Sequence, residues 1–175
     1  MIAFFSDTGL DELETHRAQA AADVFEMKLR DILREQLGGT YSVNVSYSNT
    51  SPEPGYGTTM VQFGSAPENV EKLVSAVMTE ADRLRRDGPS ASDVQAVKEA
   101  EKNDLQTALR QNGYWLNSLQ AMHLLGRDAR RIPLRAERTE LLSQENIHAA
   151  IRKYLPADRM TVVTLLPEAQ AQRTQ

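Results

Sequence analysis

The chain has 175 residues, of which 41% are hydrophobic and 25% charged, with a net charge of −4. That size and balance suit one globular domain able to bury a core without staples. The absence of cysteine excludes disulfides, thiolate metal sites and cysteine nucleophiles, the acidic balance argues against a nucleic-acid partner, and no apolar run approaches the roughly 20 residues of a membrane span.

Ile2 to Ser6 (IAFFS) reads as a strand ended by Asp-Thr-Gly. It opens without a basic leader, so it is not a signal peptide. A strand beginning this early suggests a domain cut from a longer polypeptide, with Met1 introduced at the cut. A helical pattern follows from Leu10 to Leu37, with Ala18, Ala21, Ala22, Phe25, Leu29, Ile32, Leu33 and Leu37 on one stripe. Gly38 sits where a left-handed residue would end it. His16, among Glu12, Glu14 and Arg17, reads as exposed.

Tyr41, Val43, Val45 and Tyr47 then alternate with Ser42, Asn44, Ser46 and Ser48, the pattern of a half-buried strand. A Pro- and Gly-rich loop leads to a second strand over TTMVQFG, antiparallel to the first because the connection is too short for a crossover helix. Ser65 and Glu68 have capping-box spacing before a helix carrying Val70, Leu73, Val74, Val77, Ala81 and Leu84. That helix stops at RRDGPS. Ser90 with Asp93 caps the next, whose stripe runs from Val94 through Leu105 and Leu109 to Trp115, Leu119 and Met122, bent near Asn112-Gly113. A short helix over Leu134 to Leu142, a helix opened by Ser143 and a strand over RMTVVTLLPE complete the order. The expected class is α+β: a mainly antiparallel sheet with long helices packed on one face. Residues 1–168 form the domain and 169–175 a frayed tail.

The sequence carries no H-E-x-x-H or H-x-x-E-H helix, nucleophile elbow, P-loop or dinucleotide fingerprint. Glu145 and His148 have di-iron spacing without the companion ligands, so a solvated helix face is preferred. His123 is placed at the core border near Trp115. Glu99 and Glu101 read as solubilising, and the basic runs RLRRD and RDARR as surface cations at helix ends. Trp115 is preferred as a core anchor over an aromatic wall for a bound peptide. Arg34 and Tyr41 could be a helix-end cation and a strand former. Composition alone favours that reading, yet a helix end, a glycine turn and a strand start would bring a guanidinium and a phenol near one edge, both able to donate to an oxyanion.

LREQLGGTYSV, with Arg34 and then Tyr41 seven residues on across two glycines, resembles the second-half signature of the pitrilysin- or insulinase-type zinc metallopeptidases. The likeness continues through GSAPENVEKLV to the Gly-Pro-Ser turn, LRQNGYWLNSLQ and ENIHAAIRKYLPADRMTVVTLLPE, nearly the whole chain. It is strongest to the large bacterial members. The resemblance implies the C-terminal, non-zinc domain of such an enzyme. The zinc and its H-x-x-E-H helix would belong to an N-terminal domain, with no cofactor in this chain. This half would close a chamber over extended peptide substrates, with Arg34 and Tyr41 contacting substrate near the scissile bond and helping to stabilise the transition state. No catalytic residue is expected in this chain, and the isolated chain would be inactive. The zinc-bearing domain is the expected partner, on the same polypeptide, and a periplasmic setting is implied. The alternative is an inactive structural or partner-binding module of the same fold. A self-contained hydrolase using His123 or His148 is the weakest reading.

Overall fold

The computed structural model describes residues 1–9, 11–38, 40, 42–49 and 55–166, with backbone only at 34–36. Four antiparallel strands form one sheet. β1 (Ile2–Thr8) lies inside it, between β3 (Gly55–Phe63) and β4 (Met160–Val162), and β2 (Val43–Asn49) pairs with the far side of β3, in the order β2-β3-β1-β4. Ile2 stands opposite both Val61 and Val162, and Val45 opposite Val61. The register puts Ile2, Phe4, Val43, Val45, Tyr47 and Val61 on one buried face, while Phe5, Asn44, Ser46 and Ser48 face out. This is the expected α+β architecture, and the period of two in the β2 sequence is what selects the face.

Helices cover the buried face. α1 (Glu12–Leu29) is capped by Asp11, whose carboxylate accepts from the Glu14 N–H at 2.8 Å. Its centre, Ala18, Ala20, Ala21 and Ala22, is buried on every side. Small side chains there let β2 and the other helices approach α1 closely, and Phe25 meets Phe4 edge-on at 6.4 Å. α2 (Val70–Asp87), α3 (Ala91–Ala108) and α6 (Gln144–Tyr154) pack around α1. α4 (Asn112–Leu124) and α5 (Arg135–Glu140) stand further out.

Several expectations need correction. The long helix ends its α-form at Leu29 and continues as a π-helix over Arg30–Gln36. Ser65 does not cap: a 3-10 turn, Pro67–Asn69, precedes α2 and Ala66 occupies its cap position without a side-chain bond. The Ser90–Asp93 box does form, and Ser143 makes a second box with Asn146. The helix after Ser90 is two helices, interrupted between Ala108 and Asn112. No residue of α4 is buried, so Trp115 is not a core anchor, and its indole N–H donates to the Leu109 carbonyl at 3.0 Å. His123 is exposed. Arg85 is no surface cation: it donates to the Leu155 carbonyl at 2.6 Å and ties α2 to the end of α6. The closing strand is regular over Met160–Val162, and Val163 extends it by exchanging hydrogen bonds with Met1. The tail, 169–175, lies outside the described residues.

Candidate functional site

The passage from α1 to β2 determines the geometry around Arg34 and Tyr41. Leu33 is fully buried and anchors the end of the helical segment in the core. The Leu37 N–H donates to the Ile32 carbonyl at 3.0 Å, five residues back, so the chain leaves in a widened turn. Gly38 then takes φ +57°, a left-handed conformation that glycine adopts without cost. Thr40 is buried, and its hydroxyl lies 2.7 Å from the Gly64 carbonyl and 2.8 Å from that of Ser42. This clamp holds the turn against the end of β3. Beside it opens a groove of about 470 Å³ lined by Gly38, Thr40, Ser42, Gly64, Ser65 and Asn69. Among the described residues, small side chains, hydroxyls and main chain line it, with no titratable group. Such a surface can hydrogen-bond an extended polypeptide.

Arg34 lies on the π-helical turn directly before this groove, described through its backbone. Tyr41 lies outside the described residues, between Thr40 on the groove wall and Ser42. The structure therefore positions the two backbone approaches and leaves the meeting of guanidinium and phenol undescribed. Next to them, β2 is an edge strand. Its Val45 N–H donates to Glu26 of α1 at 2.8 Å, and Arg30 pairs with the same carboxylate at 2.6 Å.

The histidines are committed elsewhere. His16, expected to be exposed, places Nε2 2.9 and 3.0 Å from the two oxygens of buried Glu101. Thr139 donates to Glu101 at 2.7 Å. Burial disfavours the Glu101 carboxylate, but the hydrogen bonds from His16 and Thr139 outweigh it and hold the carboxyl below its usual range. Glu101 is thus an interior acceptor joining α1, α3 and α5, not a solubilising group. His16 stands four residues before Ala20, on the buried side of α1, which is the signal that could have found it. His148, beside exposed Glu145, is half-buried and lies 2.9 Å from the Arg85 carbonyl. Among the described residues no group of three or more histidine or acidic side chains is arranged to hold a metal, and the three histidines stand on separate elements with two already bonded. The described residues do not fit a zinc centre. No helix among the described residues is long and apolar enough to cross a membrane.

Residues 1–101 match the family described as the peptidase M16 inactive domain. The zinc protease PQQL-like protein of Arabidopsis thaliana is 28% identical over 171 residues, covering 89% of this chain and 18% of the relative. The fold superposes on the periplasmic protease PqqL from Escherichia coli with a TM-score of 0.72 at 17% identity, over 88% of this chain and 17% of that one. A peptidase M16 inactive domain from Pseudomonas fluorescens superposes with a TM-score of 0.72 at 18% identity, over 95% of this chain and 42% of that one. The chain spans less than a fifth of the Arabidopsis and Escherichia relatives.

Proposed function

The chain belongs to the peptidase M16 inactive-domain family, and from that premise we propose that it is the substrate-binding, non-catalytic half of a zinc-dependent metalloendopeptidase. Its partner is the zinc-bearing N-terminal domain, carried on the same polypeptide, and together they enclose an extended peptide. The observation that carries this reading is the clamped turn between α1 and β2. It presents a groove whose described lining is polar and uncharged, on the segment that carries Arg34 and Tyr41.

Within this reading the chain's own residues orient and stabilise. Arg34 offers a planar fork of N–H donors and Tyr41 one O–H donor. Donors held in place toward a carbonyl oxygen gain strength as that oxygen becomes an oxyanion, so they lower the barrier more than they tighten binding. The zinc half would supply the activated water, and Arg34 and Tyr41 act in this reading as hydrogen-bond donors. The periplasmic description of PqqL supports a periplasmic setting.

The test uses the full polypeptide that contains both halves. Tyr41→Phe and Arg34→Ala are each expected to lower kcat by about 10²-fold with a smaller change in KM, the size seen on losing an oxyanion donor. Unchanged kcat in both variants overturns the role of the pair. Chelator-sensitive hydrolysis of unfolded peptides by the purified 175-residue chain overturns the non-catalytic assignment.

A further inference from the structure

A second cavity, of about 310 Å³, lies between α1 and α4 beneath α5. It is at the small end of ligand pockets, suited to a single residue or a short peptide end. α5 places Arg135 and Arg138 one turn apart on the same face, both toward this cavity. Arg138 is paired with Glu12 at 3.1 Å. Arg135 makes no ion pair or hydrogen bond through its guanidinium among the described residues, and its charge reaches Glu101 and Asp23 only at longer range. Glu12 is held by both neighbouring arginines, Arg138 on one oxygen and Arg131 at 2.8 Å on the other, which is buried. The other polar groups of the α1 wall are engaged: His16 with Glu101, and Gln19 with Asp23 at 2.9 Å. Tyr114, Met122 and Ile132 provide the apolar lining.

The cavity therefore offers an unspent cation and an apolar wall. We propose that it binds the C-terminal residue of a peptide. The terminal carboxylate meets Arg135, and the terminal side chain rests on Met122 and Ile132. Glu12, Glu101 and Asp23 nearby oppose a doubly charged anion, so one carboxylate fits the local balance better than a phosphate. A terminal residue also carries its side chain close to its carboxylate, as one small cavity holding both Arg135 and an apolar wall requires. This site uses none of the groove beside Thr40 and does not depend on the roles of Arg34 and Tyr41.

The test is calorimetric titration of the 175-residue chain with N-acetyl-leucyl-phenylalanine, its C-terminal amide, and N-acetyl-glutamyl-phenylalanine amide. Emission from Trp115, which packs edge-on to Tyr114 at 6.0 Å, provides a second readout. The free acid is expected to saturate and to bind at least tenfold more tightly than its amide. Arg135→Gln should remove that preference, and Arg130→Gln, an exposed residue outside the cavity, should keep it. Equal binding of acid and amide, or no saturation by the acid up to about 10 mM, overturns the proposal. Binding of the glutamyl amide as tightly as the free acid overturns the assignment to a chain terminus. The ligand comparison needs no variant, so a misfolded Arg135→Gln protein would not shield the proposal.

Discussion

α6 and α4 are similar in length and opposite in fate. α6 buries Ile147, Ala150, Ile151 and Tyr154, although its sequence includes Gln, Glu, Asn, His, Arg and Lys. α4 holds Tyr114, Trp115, Leu116, Leu119, Met122 and Leu124 and buries none of them. The difference lies in what each helix faces. α6 packs on α1 and reaches β1 and β3, whereas α4 packs mainly on the turn at Ala129–Arg131. Apolar content measures what a helix could bury, and the fold decides what it does bury.

The comparison is broken most directly by truncation on each side. Ile151→Ala, fully buried on α6, should cost about 2–5 kcal/mol in urea unfolding. Leu116→Ala on α4, where the side chain is 67% exposed, should stay within about 0.5 kcal/mol. A comparable loss at both positions would mean that α4 is as tightly held as α6.

Charge sharpens the inner side. Asp23 on α1 has its carboxyl pushed up to about 6, chiefly by burial, with the Gln19 hydrogen bond opposing and Glu101 and Glu26 adding to the rise. Its folded value lies above its unfolded one. Its favourable contribution is therefore complete below about pH 4 and is lost as pH rises through about 6. Asp23→Asn should then stabilise the protein at pH 7 by on the order of 2 kcal/mol. It should also flatten stability between pH 4 and pH 6, as followed by thermal melts across that range. A destabilised variant at pH 7 would contradict this.

Two glycines extend the comparison to the backbone. Gly88, after α2, takes φ +74°, and an added Cβ would lie 2.9 Å from the His148 ring on α6. Gly88→Ala should cost about 1–3 kcal/mol. Gly113, inside α4, meets nothing within 4 Å, so Gly113→Ala should be neutral or gain up to about 1 kcal/mol. The smallest contrast concerns caps. Ser90→Ala should cost about 1 kcal/mol because its box forms, and Ser65→Ala should cost nothing measurable in cap stability because its box does not form.

Much of the fold was readable from local pattern. The alternation over Val43–Tyr47, the stripe of α2, the Ser90 and Ser143 caps and the glycine at 38 each satisfy a rule that involves only nearby residues. The family signature singled out Arg34 and Tyr41, and the structure adds the groove that their segment borders. The Thr40–Gly64 clamp was not legible, because it joins residues 24 positions apart. Nor was the His16–Glu101 pair, which spans 85 positions. Both groups are polar, and periodicity assigns polar residues to the surface unless a distant partner is known.

By itself the sequence determined the order of elements, the sheet-facing side of β2 and the α+β class, because side-chain period and turn chemistry act over a few residues. Tertiary structure alone decided which apolar helix is covered, which carboxylate becomes an interior acceptor and which arginine has no ion pair among the described residues. Those outcomes depend on where separate elements meet, and burial and electrostatic pairing are properties of that meeting rather than of any one segment.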